Sequence, residues 1–353
     1  MSSMTRGGLE VAPPVASVQA AADIQARLED QVLPLLSAGI SRAISAWLER
    51  SRPPRRDALE EIRIRKGLPL CMVLSFGDVF LSSDGAEARP EQAFCPDARE
   101  VERTFALLTD CSSYAMETEL ATGYVTLPGG HRVGLSGRMS AFSTEKYVLR
   151  EIHGFNIRIA RHIRGVSEKV LSRVLTGGPE KRPRSTLIVS PPRAGKTTML
   201  RDLARVFSEG RAQINLPPCQ VGIVDERSEI AACYGGVPQH DLGPRVDVLD
   251  RCPKPVGMMM LIRSMSPDVV VTDEIGGDAD ARACAEACAA GVAILASAHA
   301  RDVDDLARRP YSSWLVEKGY FEVFVVLSRR NGPGTVEYAG PLPEGDETGW
   351  RLP

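Results

Sequence analysis

The sequence is poor in aromatic residues and almost neutral, and both shortages argue against one class of function. Aromatic side chains make up 5 % of the 353 residues, and the formal net charge is −2. A protein whose main task is to coat nucleic acid offers a basic stripe and aromatic rings on which bases stack. We therefore expect that nucleic acid is not the principal partner of this chain.

Long apolar runs are also missing. No segment approaches the ~20 consecutive apolar residues of a membrane-spanning helix, and residues 1–14 contain no apolar signal core. We predict that the chain has no transmembrane segment. Any role at a membrane would then be peripheral and would depend on partners.

The cysteines show no spacing typical of a zinc site or of a redox pair. Cys284 and Cys288 share one helix face in an alanine-rich run, where we predict small buried thiols rather than a metal or redox pair. Unpatterned cysteines are typical of a reducing compartment, so we predict a cytoplasmic location. The cysteines stand at positions 71, 95, 111, 219, 233, 252, 284 and 288.

What the chain does contain is a phosphate-binding loop in its usual setting. Residues 186–203 begin with a short apolar strand, continue through a tight loop that ends in Gly-Lys-Thr, and then show apolar residues at helical spacing. In such a loop, backbone N–H groups point at a polyphosphate. Lys196 would neutralise the terminal phosphates, and the Thr197 hydroxyl would reach Mg²⁺. The predicted cofactors are therefore ATP and Mg²⁺, and the predicted nucleotide-binding residues are Ser190, Pro191, Pro192, Arg193, Ala194, Gly195, Lys196, Thr197 and Thr198.

One loop position departs from the usual pattern. Ser190 stands where the first glycine is expected, and serine tolerates a positive φ poorly. A chance Gly-Lys-Thr in a surface turn is the alternative interpretation, which the flanking strand and helix disfavour.

Acidic residues end two further predicted strands, where ligands of open α/β sheets bind. Asp273 would hold Mg²⁺ or its water shell, and Glu274 would orient or deprotonate an attacking water. Asp225 is a second candidate metal ligand. Glu226 competes with Glu274 for the water, and its alternative role is a salt bridge with Arg227. Taken alone, two acidic residues after a strand more often belong to a loop or a helix cap than to a functional site.

A histidine, His299, ends another apolar strand. A lone histidine is usually structural. Its position at a strand end beside the expected site favours a role in sensing the γ-phosphate.

The pattern of apolar residues divides the chain into two domains. A helical stretch from Ile24 to Leu48 and short alternating strands indicate an α+β domain. Near-continuous apolar strands alternating with helices indicate a parallel sheet covered on both faces; these strands are predicted at 186–189, 221–224, 268–272, 292–296 and 322–327. We predict a disordered start (1–21), the α+β domain for ring or partner contacts (22–175), a Gly/Pro-rich linker (176–185), the α/β domain (186–342) and a tail (343–353).

Taken in order, these elements resemble the hexameric type II and type IV secretion ATPases. The phosphate loop, Asp225–Glu226, Asp273–Glu274 and the segment ending at His299 match the Walker A motif, aspartate box, Walker B motif and histidine box of that superfamily. A closer resemblance, over about residues 24–338, is to the stage III sporulation protein AA family of endospore-forming bacteria. It rests on specific segments at 59–65, 123–138, 155–161, 224–231, 247–254, 257–268 and 326–335.

This resemblance implies a RecA-like P-loop core after an α+β N-terminal domain. It implies Mg-dependent ATP hydrolysis by a homo-oligomeric ring, expected to be hexameric, that energises a channel from mother cell to forespore. The partners would be membrane proteins of the same sporulation channel, with the ring on the mother-cell side. The family's loop usually has small residues where Arg193 stands, so turnover is expected to be slow, although Arg193 offers a further phosphate contact. Asp273 replaces the glycine that the wider superfamily carries before its glutamate, so the superfamily's catalytic assignments transfer less directly to this chain.

In a ring, an arginine of a neighbouring subunit can stabilise the transition state of phosphoryl transfer. The matching segments offer Arg138, Arg158, Arg161 and Arg263, of which Arg158 and Arg161 are equally well explained as solvated residues flanking a strand. Two other functions stay open: a nucleotide-gated scaffold with little turnover, and a RecA-like nucleic-acid motor.

Overall fold

The computed structural model describes residues 24–109, 123–141, 147–308 and 319–342. The predicted disordered start, the predicted tail and Cys111 lie outside these ranges.

An antiparallel sheet organises the N-terminal domain. Its strands lie in the order β4-β3-β2-β1-β7-β6-β5. They are β1 (Leu59–Arg65), β2 (Cys71–Leu74), β3 (Gly77–Leu81), β4 (Glu87–Ala88), β5 (Tyr124–Thr126), β6 (Arg132–Ala141) and β7 (Tyr147–Arg158), and the helices are α1 (Ile24–Gln31), α2 (Ala38–Arg50), α3 (Pro53–Asp57) and α4 (Ala98–Leu108). In β1 the apolar side chains of Ile62 and Ile64 are buried and Arg63 is exposed, as the alternating sequence predicts. Trp47 of α2 packs into the same core.

The helical stretch predicted from Ile24 to Leu48 is present but interrupted. Helix α1 ends at Gln31, a short 3₁₀ turn spans Leu33–Leu35, and α2 begins at Ala38. Pro34 lies in that turn, and a proline there removes a backbone donor and clashes with the preceding turn. The interruption lets both helices bury apolar residues in one core, among them Leu28 and Ile44.

A mostly parallel sheet organises the C-terminal domain. Its strand order is β10-β9-β11-β12-β8-β13-β14, and among the strands in the described ranges only β14 runs antiparallel to its neighbour. The strands are β8 (Thr186–Ser190), β9 (Val221–Asp225), β10 (Val246–Asp250), β11 (Val269–Thr272), β12 (Ala293–His299), β13 (Val323–Ser328) and β14 (Thr335–Gly340). The five predicted apolar strands are all present, and the predicted fold class, an α/β P-loop core after an α+β domain, is confirmed. Sequence reasoning missed the two edge strands, β10 and β14, because both are only half-buried.

Helices cover both faces of this sheet. They are α5 (Lys196–Glu209), α6 (Lys254–Ser264), α7 (Asp278–Ala289) and α8 (Val303–Ala307). Helix α5 packs into one apolar core, while α6 and α7 pack into the other. Cys284 is fully buried and Cys288 is partly buried, so the predicted buried thiols are confirmed for Cys284.

The predicted linker folds back on itself instead of running freely. The N–H of Arg184 donates to the carbonyl of Val174 at 2.9 Å, and that of Thr176 donates to Arg182 at 2.9 Å. Val170 and Leu175, which precede the linker, pack into the core of the C-terminal domain. Among the described residues, no helix is long and apolar enough to cross a membrane.

The register of the parallel strands brings the predicted site residues to one edge of the sheet. His299 at the end of β12 pairs with Ser190 at the end of β8. Thr272 at the end of β11 pairs with Val224, next to Asp225 at the end of β9. The phosphate loop, both acidic pairs and the histidine therefore meet at the carboxyl ends of the strands.

Candidate nucleotide site

The phosphate loop joins β8 to α5. The sequence predicts backbone strain at Ser190, but the loop residues with positive φ are Arg193 and Gly195. Ser190 is the last residue of β8 and is not among the described residues with positive φ, which include Arg193 at 60° and Gly195 at 95°. The expectation of strain at Ser190 is therefore wrong, because this residue is held in the strand by its pairing with His299. The strained arginine adopts a conformation that glycine adopts without cost.

A turn between β13 and β14 supports this loop, and sequence reasoning missed it. The N–H of Gly334 donates to the carbonyl of Ala194 at 2.9 Å. A Cβ atom at Gly195 would lie 3.2 Å from the nitrogen of Gly334. The close approach of the two backbones requires glycine at position 195 and fixes the loop against the last hairpin.

Lys196, the first residue of α5, is buried at the centre of the site. Its ammonium lies 3.3 Å from both the carbonyl oxygen and the hydroxyl of Ser190, and it donates to Nδ1 of His299 at 2.8 Å. Burial lowers the pKa of Lys196 to about 8, and the carboxylate of Glu274 opposes this shift. The side chain is thus a desolvated cation, ready to exchange its present partners for phosphate oxygens.

His299 connects this ammonium to Glu274. Its Nδ1 accepts from Lys196, so a neutral ring carries its proton on Nε2, which lies 3.3 Å from Oε2 of Glu274. The same carboxylate oxygen is 3.6 Å from the guanidinium of Arg227. The structure therefore joins Lys196, His299 and Glu274, which are far apart in sequence, into one chain of polar contacts.

The second glutamate, Glu226, has a different partner. Its carboxylate bonds the ammonium of Lys254, which also lies 3.4 Å from Oδ1 of Asp273. Sequence reasoning did not identify Lys254, because it belongs to none of the nucleotide-binding motifs. Burial raises the pKa of Asp273 to about 6, and the charge of Lys254 limits that rise.

Asp225 has a structural environment. Its two carboxylate oxygens accept backbone N–H bonds from Glu229 at 2.7 Å, Ile230 at 3.0 Å and Ala231 at 2.8 Å. Burial raises the pKa of Asp225, and these bonds oppose the shift. A carboxylate so occupied holds the loop after β9 in shape, and this arrangement argues against the metal-ligand role that the sequence suggested for it.

The remaining donors fit a magnesium ion held mainly by a nucleotide. Oδ1 of Asp273 is buried and has no hydrogen-bond partner, although the ammonium of Lys254 lies 3.4 Å from it. This oxygen could still accept a hydrogen bond from a metal-bound water. Thr197 lines the adjoining cleft. Within the described ranges, no three His, Cys, Asp or Glu side chains form a metal cage, and Mg²⁺ beside phosphates needs only one or two protein ligands.

An arginine-rich cleft of about 480 Å³ opens between the two domains beside the phosphate loop. Thr197 and Thr198 line its C-terminal wall, and Ile159 lies on the N-terminal side. The arginines that line it are Arg132, Arg158, Arg161, Arg193 and Arg201. Three glutamates, Glu60, Glu61 and Glu229, line it as well, and the last two pair with Arg158 and Arg132. The remaining excess of positive charge suits a polyanion.

The candidate arginines fall into two groups. Arg158 and Arg161 line the cleft of their own chain, and Arg161 donates to the carbonyl of Asp57 at 2.8 Å. Arg138 on β6 and Arg263 in the last turn of α6 are exposed and are not among the residues that line the cleft.

The loop after β9 also forms the contact between the domains. Arg132 of β6 bonds the carboxylate of Glu229 at 2.6 Å, and its guanidinium lies 3.7 Å from the ring centroid of Tyr124. Arg201 of α5 donates to the carbonyl of Glu229 at 2.6 Å from the other side. The loop anchored by Asp225 thus touches both the phosphate-loop helix and the N-terminal sheet.

Two histidine rings meet in this interface, and one of them makes stability depend on pH. His240 lies 4.7 Å from His162 between ring centroids, and burial lowers the pKa of His240 from 6.5 to about 2. Below pH 6.5, His240 takes up a proton in the unfolded chain but stays neutral in the folded chain. Acidification therefore favours the unfolded state, and the contribution of His240 to stability, fully present above pH 6.5, is lost as the pH falls. We expect this histidine to contribute about 2 kcal/mol of destabilisation between pH 7 and pH 5.

Urea unfolding of His240→Gln at pH 7 and pH 5 checks this expectation. The difference in unfolding free energy between the two pH values should shrink by about that amount. The matched control is His153→Gln, because the side chain of His153 is 51 % exposed. An equal pH dependence in wild type and His240→Gln would contradict the prediction.

Comparison with known proteins agrees with the family resemblance. The profile of the family described as "Sporulation stage III, protein AA" matches residues 26–340. Stage III sporulation protein AA of Bacillus subtilis (strain 168) is 44 % identical over 290 residues, 82 % of this chain and 86 % of that protein.

Two solved structures show weaker likenesses. The ATPase DotB of Legionella pneumophila is 12 % identical, with a TM-score of 0.45 over 76 % of this chain and 72 % of that one. The pilus retraction motor PilT with bound ADP is 12 % identical, with a TM-score of 0.46 over 76 % of this chain and 74 % of that one. The match over residues 26–340 and the 44 % identity to the Bacillus protein decide the assignment: this chain belongs to the stage III sporulation protein AA family.

Proposed function

We propose that this chain binds Mg-ATP at residues 190–198 and hydrolyses it. The observation that carries the proposal is the chain of contacts from Lys196 through His299 to Glu274, built beside the buried carboxylate of Asp273. A phosphate-binding cation, a histidine and a carboxylate are thereby brought together at the carboxyl edge of a parallel sheet. Positioning and electrostatic stabilisation are what phosphoryl transfer requires of a protein.

The residues divide the work by their positions. Backbone N–H groups of the phosphate loop and the start of α5 bind the phosphates, and Lys196 neutralises the terminal ones. Thr197 and Asp273 would hold Mg²⁺, which neutralises phosphate charge when bound. Glu274 orients or deprotonates the attacking water.

Glu274 is the better candidate for that role than Glu226. The imidazole of His299 lies between the carboxylate of Glu274 and the ammonium of Lys196, which would bind the phosphate. Glu226 is instead bonded to the buried ammonium of Lys254, whereas the cationic partner of Glu274, Arg227, is exposed and lies 3.6 Å away. His299, which contacts both Lys196 and Glu274, would signal the arrival of the γ-phosphate to the catalytic glutamate.

The active form is proposed to be a homo-oligomeric ring, as family membership supports. Arg158 and Arg161 contribute to the cleft of their own subunit, which leaves the exposed Arg138 and Arg263 as the candidates to act on a neighbour's nucleotide. The ring would lie on the mother-cell side of the forespore membrane, held by membrane proteins of the same sporulation channel, and ATP turnover would energise that channel.

Steady-state ATP hydrolysis by the purified protein tests the proposal. Phosphate release should depend on Mg²⁺, disappear in EDTA and rise with protein concentration as subunits assemble, with mass measured by light scattering with and without Mg-ATP. Tight ATP binding without turnover in any assembly state would refute hydrolysis and favour a nucleotide-gated scaffold. Stimulation by single-stranded nucleic acid would instead favour the nucleic-acid motor.

A further inference from the structure

Lys254 is a buried cation placed between two acids of the site. It is the first residue of α6 and is 5 % exposed. Its ammonium bonds the carboxylate of Glu226 and lies 3.4 Å from Oδ1 of Asp273. A buried charge is costly unless its partners are well placed, so this arrangement requires an explanation.

Two glycines hold α6 tightly against β9 and so set the position of Lys254. A Cβ atom at Gly257 would lie 2.6 Å from Cγ1 of Val224, and one at Gly222 would lie 2.8 Å from Cδ1 of Leu261. Neither helix nor strand has room for a larger residue there without moving apart. The first turn of α6, with Lys254, is thereby fixed near the carboxyl ends of β9 and β11.

The two acids differ in what they offer the lysine. The side chain of Glu226 is 41 % exposed, and that of Asp273 is 7 % exposed. Oδ1 of Asp273 is buried and has no hydrogen-bond partner, so the ionic contact with Lys254 is what orients it. The bond to Glu226 holds the ammonium from the solvent side.

We propose that Lys254 is a positioning residue of the magnesium site: Glu226 anchors its ammonium, and the ammonium holds the carboxylate of Asp273 where a metal-bound water meets it. The proposal rests on the proposed function, since it concerns the same site. It also gives Glu226 a task other than activating water.

Metal dependence of nucleotide binding tests this role separately from turnover. The probe is mant-ATP, titrated with Mg²⁺ against wild type, Lys254→Gln and Lys254→Arg, and the control is Lys169→Gln, because Lys169 is exposed. Supporting residues of metal sites typically contribute 10- to 100-fold to metal affinity or activity. We expect Lys254→Gln to raise the half-maximal Mg²⁺ concentration by about that factor, with unchanged mant-ATP binding at saturating Mg²⁺, and Lys254→Arg to restore most of the loss.

The anchor is tested by combining variants. Glu226→Gln should shift the Mg²⁺ dependence in the same direction but less, and Glu226→Gln/Lys254→Gln should be no worse than Lys254→Gln alone, because coupled residues are not additive. Additive losses would overturn the anchoring. An unchanged Mg²⁺ dependence in Lys254→Gln, or an equal loss in both lysine variants together with a lower Tm, would overturn the positioning role.

The outcomes also separate the two proposals. A wild type that binds mant-ATP with Mg²⁺ but does not hydrolyse ATP refutes the proposed hydrolysis, while the Mg²⁺ titration still decides the role of Lys254. A wild type that binds no mant-ATP refutes both.

Discussion

Lys196→Met is expected to slow ATP hydrolysis by about 10²- to 10³-fold while leaving the fold intact. The ammonium is the central cation of the phosphate loop, with Ser190 and His299 as its neighbours. Removing one preorganised electrostatic group from a phosphoryl or oxyanion site typically costs about 10²- to 10³-fold in rate. We expect a loss of that size in kcat/KM, together with weaker ATP binding. The measurement is phosphate release over a range of ATP concentrations.

Stability separates this loss from misfolding. Burial lowers the pKa of Lys196, which means that the folded protein holds its charge at a cost. Methionine fills a similar volume without a charge, so the Tm of Lys196→Met should equal or exceed that of wild type. The control is Lys169→Met at an exposed position. Wild-type kcat/KM in Lys196→Met would contradict the assignment of residues 190–198 as the nucleotide site.

Glu274→Gln is expected to stop turnover without preventing ATP binding. General-base catalysis typically contributes about 10²- to 10⁴-fold, and glutamine keeps the size and one acceptor of glutamate while losing the base. The contact with Nε2 of His299 survives as a neutral hydrogen bond, so the site should still assemble. We expect kcat to fall by at least about 10²-fold, with the Kd for ATP unchanged or lower, as measured by single-turnover hydrolysis and equilibrium binding.

Glu226→Gln is the matched comparison, since it makes the same chemical change at the other glutamate. Its expected loss in kcat at saturating Mg²⁺ is about tenfold or less, the lower end for a supporting residue. The reverse order, with the larger loss in Glu226→Gln, would show that the carboxylate paired with Lys254 activates the water. Equal losses with reduced ATP binding in both variants would assign both glutamates to structure.

Much of the candidate site could be predicted from the sequence because its residues belong to short local motifs. The Gly-Lys-Thr loop needs a strand before it and a helix after it, and both are visible as apolar patterns. Asp273 and His299 were predicted as site residues because a polar residue that ends an apolar strand stands out in sequence. The backbone bonds to the carboxylate of Asp225 favour a structural role over the predicted role as a metal ligand. A loop cap and a metal ligand have the same local pattern in sequence.

Lys254 shows the limit of sequence reasoning more sharply. Nothing at positions 253–255 marks a catalytic motif, and the lysine gains its place only because α6 packs closely on β9 through Gly222 and Gly257. The support of the phosphate loop by Gly334 is of the same kind. Both depend on contacts between segments that lie far apart along the chain.

The sequence by itself determined the class of this protein: a P-loop chain whose apolar strands alternate with helices, in the stage III sporulation protein AA family. These properties depend on short-range periodicity and on motifs in which each residue acts through its neighbours in the chain. Only the tertiary structure decided which acidic side chain pairs with which basic one. It also placed Arg158 and Arg161 in the cleft of their own chain, and it brought the loop after β9 into contact with both α5 and the N-terminal sheet. Those choices follow from the order and register of strands, and a side chain's electrostatic partners are set by distances of a few ångströms that sequence separation does not encode.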